Sequence, residues 1–158
     1  MRLFLGVDPG VSGGIAILNP TGGVQDVCRM PASDEDLCDT LAAYGGREST
    51  AVLERVSASP QMGVVSAFTF GVGFGRLRLG LRAAAIPFEL VHPLVWQKAM
   101  KCRTHGDKNI SRDRAQCLFP KLYVTHAIGD ALLLAEYGRR LALHVPMPAD
   151  QPLFEVAR

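Results

Sequence analysis

Three carboxylates stand where a fold could gather them. Asp8 closes the short apolar run LFLGV, Glu54 closes the run AVL, and Asp130 lies near the start of a strongly helical C-terminal segment. Burying several carboxylates together costs several kcal/mol per ion when nothing balances them, and like charges in one site raise each other's pKa. A hard divalent cation removes both penalties and ties such a cluster to catalysis. Each acid also has a plain structural reading. Asp8 precedes Pro9-Gly10 and suits a turn, Glu54 has Arg55 beside it, and Asp130 fits the acid-favouring first turns of a helix. Metal chemistry is the reading that uses all three at once.

The elements that must position these acids can be read from periodicity. Arg2 to Val7 reads as a buried strand ending at Asp8, Gly13 to Leu18 as a second and Val24 to Met30 as a third, with Asn19 to Gly23 as the turn of an antiparallel meander. Ser33 followed by Asp34, Glu35 and Asp36 marks a helix start, and Gly45-Gly46 its end, near Tyr44. Thr50 to Leu53 is a fourth strand delivering Glu54. A long helix runs from about Pro60 to Ala85 despite several glycines, and Pro87 to Val91 is a fifth strand. Pro93 opens a helix to about Met100, Asp107 caps another ending before Pro120, and Thr125 to about Leu143 forms the last, before a proline-rich tail from Val145 to Pro152. Three strands, a helix, a strand, a helix, a strand and then helices make an α/β layout. A doubly wound nucleotide fold would place a helix after its first strand.

The chain has 158 residues, 48% of them hydrophobic and 20% charged, which suits one domain spanning 1–158 with its own core. No unbroken apolar run reaches about eighteen residues, so no membrane span is expected. The N-terminus lacks a signal-peptide pattern, which makes the cytoplasm the expected location. Cys28, Cys38, Cys102 and Cys117 form no C-x-x-C pair and read as reduced thiols in or near the core. Cys102 and His105 have a spacing that suits zinc, but no third or fourth ligand accompanies them. The net charge of +2 hides an asymmetry: Met1 to Glu54 carries three basic and eight acidic residues, whereas Arg76 to Arg114 carries nine basic and three acidic. A basic middle suits either a polyanionic partner or a solvated helix surface.

At these points the chain resembles a known family. Gly6-Val7-Asp8-Pro9-Gly10 followed by Ser12-Gly13-Gly14-Ile15-Ala16 is similar to the opening motif of RuvC-type Holliday-junction resolvases, in the RNase H-like superfamily, particularly small phage and prophage versions. Val52-Leu53-Glu54 resembles the strand with their second acid. Phe88 to Val91, Pro93 and Trp96-Gln97-Lys98 resemble the fifth strand and next helix, and Asp107-Lys108 and Leu118-Phe119-Pro120 the segment before the last acids. Asp130 to Gly138 is similar to the closing helix. The likeness runs in order over nearly the whole chain.

The resemblance implies an RNase H-like mixed sheet, an antiparallel three-strand meander plus parallel strands, flanked by helices. It implies a site of Asp8, Glu54, Asp130 and a fourth ligand. In many relatives the fourth ligand is an aspartate in the same closing helix; here the position four residues before Asp130 is His126, on the same helix face. His126 reads as a ligand or water-positioning group, or as a helix-end histidine facing solvent, and an imidazole ligand suits Mn²⁺ better than Mg²⁺. Two such ions per site, about 4 Å apart, would serve phosphodiester hydrolysis. The implied substrate is a four-way DNA junction, in recombination and repair. Phosphate contacts are expected from Arg76, Arg78 and Arg82, largely on one side of the long helix, then from Lys98, Lys101, Arg103, Lys108 and Arg112. Gln61 and Met62 fall in the segment after Glu54 where relatives reach the junction centre. Paired cuts imply a homodimer, with Phe68, Phe70 and Phe74 either at its face or in the core. Two rival readings share the fold: a nuclease acting on RNA:DNA hybrids or in rRNA processing, and a catalytically silent DNA-binding module. No phosphate-loop motif follows Asp8, so no nucleotide cofactor is expected.

Overall fold

The computed structural model describes residues 1–103 and 105–149, apart from the side chain of Lys108. Five strands, β1 (Leu3–Asp8), β2 (Gly14–Leu18), β3 (Val24–Arg29), β4 (Ser49–Glu54) and β5 (Phe88–Val91), form one sheet in the order β3-β2-β1-β4-β5. β1–β2 and β2–β3 pair antiparallel, while β1–β4 and β4–β5 pair parallel. The helices are α1 (Asp34–Ala42), α2 (Val64–Ala83), α3 (Pro93–Ala99), α4 (Lys108–Leu118) and α5 (His126–Ala142). This is the expected mixed α/β sheet with its meander.

Alternation along the strands splits the core in two. Leu3, Leu5 and Val7 of β1, with Ile15, Ile17, Ala51 and Leu53, pack on Leu37 and Leu41 of α1 and Leu77 and Leu81 of α2. On the opposite face Ala16, Leu18, Val52 and Val91 meet α5 and Trp96 of α3. Gly6 lies on this second face, and a Cβ there would sit 2.1 Å from the Ala131 carbonyl oxygen and 2.2 Å from the Ala135 nitrogen. Absence of a side chain at Gly6 therefore lets α5 lie directly on β1.

Caps fall where the side chains demand them. Ser33 Oγ accepts from Asp36 N at 3.0 Å, and Asp107 Oδ1 accepts from Asn109 N at 2.9 Å. α2 starts later than its periodicity suggests. Ser59 to Met62 forms a turn, closed by Met62 N donating to the Ser59 carbonyl at 2.9 Å, and Gly63 is the extended N-cap.

By length and composition alone α2 is apolar enough to cross a membrane, although glycine, serine and threonine break its apolar run. Two further expectations need correction. Phe68 is 74% exposed and so is no core residue, whereas Phe74 packs against the α1–α2 side of the sheet. Of the four cysteines only Cys102 is buried; Cys28 is half-buried, and Cys38 and Cys117 are exposed. The proline-rich tail is described only as far as Ala149, so its residues 150–152 lie outside the described part.

Candidate active site at the ends of strands one and four

Val7 pairs with Leu53 in the parallel β1–β4 ladder, so Asp8 and Glu54 are the next residues on adjacent strands. Both follow the alternation onto the face that α5 covers. Gly14, opposite Asp8 on β2, has the Ala127 carbonyl oxygen 2.6 Å from its would-be Cβ, and Gly138 at the far end of α5 meets Val52 in the same way. α5 thus runs opposite to β1 and β4, and its N-terminal turns, with His126 and Asp130, lie over the ends of those strands. The positive end of the helix macrodipole faces the carboxylates.

Glu54 is partly buried, and its pKa rises from an ordinary 4.5 to about 7. Burial is the main cause. A hydrogen bond from Trp96 opposes it, and the negative charge of Asp130 adds to it. Trp96 Nε1 donates to Glu54 Oε2 at 2.7 Å. Asp130 also raises Cys102, whose thiol reaches about 12, mainly through burial and against the pull of Arg114. Cys102 is buried and His105 exposed, and among the described residues they belong to no group of three metal-ligating side chains.

Asp8, Glu54 and Asp130 therefore lie at one end of the sheet, all of them hard oxygen donors, and the charge of Asp130 acts on Glu54. The donor chemistry fits a divalent cation. Among the described residues, however, no three His, Cys, Asp or Glu side chains already close to metal-holding distance. His126 is exposed at the first position of α5, with its Nε2 3.4 Å from Arg112 Nη1. Arg112 in turn donates to Asp113 Oδ1 through Nε at 2.8 Å and Nη2 at 2.6 Å.

The basic residues divide into groups. Arg76 turns to α1, where it pairs with Asp34, while the guanidinium groups of Arg78 and Arg82 lie over the Phe74 and Phe88 rings at 5.8 and 5.1 Å. The three are not on one side of α2. At 100° per residue, Arg78 and Arg82 share a side that Arg76 does not. Lys98, Lys101 and Arg103 are exposed on α3 and the loop after it, with Lys101 at φ 59°. Lys108 opens α4, and its side chain lies outside the described residues. Gln61 is exposed and Met62 half-buried, in the turn before α2.

Two residues of this region escaped the sequence reading. Trp96, fully buried, supplies the hydrogen bond to Glu54. Arg114, 1% exposed, donates to the Met100 carbonyl at 2.9 Å and the Ala149 carbonyl at 2.9 Å, fixing the start of the loop between α3 and α4. The signal for Trp96 was its type: a buried indole N–H needs an acceptor.

No protein-family model matches the sequence, and no curated protein matches it. Solved structures do. A structure of RuvC from Thermus thermophilus is similar over 93% of this chain and 99% of its own, with TM-score 0.63 and 15% identity. A structure of T. thermophilus RuvC in complex with Holliday junction substrate is similar over 94% of this chain and 100% of its own, with TM-score 0.60 and 14% identity. The chain has the RuvC-type, RNase H-like fold over nearly its whole length.

Proposed function

We propose that the protein is a divalent-metal-dependent endonuclease that cuts four-way DNA junctions as a homodimer. The observation that carries this reading is the meeting of Asp8 and Glu54 at adjacent strand ends under the turn of α5 that bears Asp130, close enough for Asp130 to raise Glu54. The similarity to RuvC, one structure of which holds a Holliday junction, supports the choice of substrate. Asp8, Glu54 and Asp130 would hold Mg²⁺ or Mn²⁺, two ions per site, with His126 adjoining. When bound, such ions supply an activated water and stabilise the leaving oxygen.

The chain's own residues do the rest. Asp8 and Glu54 present oxygens from the ends of two central, paired strands, so little reorganisation is needed at reaction. Arg112, anchored by Asp113, stands at the exposed side of His126, where a phosphate would approach. Lys98, Lys101, Arg103 and Lys108 extend the basic ground along α3, the loop after it and the start of α4, and neutralise backbone phosphates. Gln61 and Met62, just before α2, reach toward the junction centre. α2 exposes Val64, Val65, Phe68, Val72 and Leu79, an apolar stripe suited to an isologous dimer face.

The test is cleavage of a synthetic four-way junction in Mg²⁺ and Mn²⁺, with RNA:DNA hybrid and linear duplex as competitors. Asp8→Ala is expected to abolish cutting while junction binding persists. Wild-type cutting by Asp8→Ala, or equal cutting of hybrid and junction, overturns the reading.

A further inference from the structure

Trp96 is the chain's only tryptophan and is fully buried. Its indole N–H reaches neither backbone nor solvent; it donates to Oε2 of Glu54 across 42 residues of sequence, at 2.7 Å. The path that places it there is short and stiff. Glu54 pairs with Val91 of β5, His92 then caps α3 by accepting from Leu94 N at 3.3 Å, and Pro93 sits at the first helical turn. One helical turn later Trp96 returns to the sheet face, wedged among Val52, Val91 and the α5 residues of the same core. The register of β4 against β5 therefore sets the distance from indole to carboxylate. A carboxylate has two oxygens and about four lone-pair sites. With Oε2 tethered by a group that cannot itself turn, the rotation of the whole carboxylate is fixed and Oε1 is left for another partner.

We infer that Trp96 is a positioning residue for cation binding, holding the Glu54 carboxylate by one oxygen so that the other is presented to the ion. This rests on the cation site proposed above and extends it from the ligands to the group that orients one of them. Groups behind a metal ligand commonly contribute about 10–100-fold to metal affinity. Because no other tryptophan is present, the emission of Trp96 reports on Glu54 directly.

The experiment is titration of the EDTA-stripped full chain with Mn²⁺, followed by tryptophan emission and in parallel by calorimetry. Wild type should show a saturable emission change that Glu54→Gln removes. Trp96→Phe keeps a ring in the core but loses the N–H. It should melt cooperatively, bind Mn²⁺ about 10–100-fold more weakly and need correspondingly more Mn²⁺ for half-maximal junction cleavage. Should Trp96→Phe fail to fold, biosynthetic replacement of tryptophan by 3-benzothienylalanine, with sulfur in place of the N–H, gives the same comparison. Unchanged Mn²⁺ affinity in the folded variant overturns the role of Trp96 and leaves the cation site standing. Absence of Mn²⁺ binding by wild type overturns the cation site and the role of Trp96 with it.

Discussion

Glu54 and Glu136 are both acids in apolar surroundings, and the fold treats them in opposite ways. Glu136, 4% exposed on α5, accepts from Arg139 at 2.7 Å through both oxygens and from Arg140 at 2.5 Å. Arg139 also donates to the Pro20 carbonyl at 2.9 Å, so this acid serves to tie α5 to the β2–β3 turn. Glu54 has an indole and the field of Asp130, and its pKa rises to about 7, chiefly through burial. In the unfolded chain the same carboxyl ionises near 4.5, so between those values the unfolded state releases a proton that the fold retains. The stability Glu54 contributes is thus full below about 4.5 and lost as pH climbs through about 7. Urea unfolding in EDTA should find Glu54→Gln gaining on wild type between pH 5 and pH 8, and a pH-independent difference would contradict the assignment. At this scale the placement of the three candidate acids was legible, because strand ends, turns and helix starts mark them in the sequence. The partners that separate Glu54 from Glu136 were not: the indole lies far along the chain from Glu54, and Arg139 and Arg140 look like ordinary surface cations at the end of a helix.

The elements themselves were largely readable, since strands of period two and capped helices leave local signatures. Ser33 and Asp107 stand at the N-caps their types suggest. The start of α2 was misplaced because the Ser59 to Met62 turn ends the loop where apolar spacing already looked helical. Nor does periodicity reveal that Gly6 is a packing device. A methyl at Gly6 would strike backbone atoms of Ala131 and Ala135, which cannot rotate away, and Ala131 is the neighbour of Asp130. Gly6→Ala should cost about 3 kcal/mol or more and lift α5 from the sheet, to be measured by denaturant unfolding alongside junction cleavage. Gly138→Ala meets only a Val52 methyl at 2.6 Å, which can move, and should cost less. Equal losses from the two substitutions would show that α5 tolerates displacement over β1.

The exposed stripe of α2 belongs to the molecule as a whole. Val64, Phe68 and Val72 recur every four residues, and Gly71, Gly73 and Gly75 have open space where side chains would be. Beside the stripe runs an apolar groove of about 750 Å³, bordered by Val11, Met30, Pro31, Phe68 and Phe70. Phe68→Glu should shift the sedimenting species from two chains to one and turn paired cuts into single nicks; wild type sedimenting as one chain would remove the dimer. The sequence left Phe68 open between core and interface, because a helix with apolar residues on several sides has no face that spacing alone can orient. The docking of α5 on β1 also has a consequence for how the protein is made. Asp8 and Glu54 leave the ribosome early, on strands whose α5 face stays bare until the last helix arrives. A nascent or prematurely terminated chain lacking α5 has two of the acids and no Asp130, so under the proposed function synthesis itself would withhold cutting until the fold is complete.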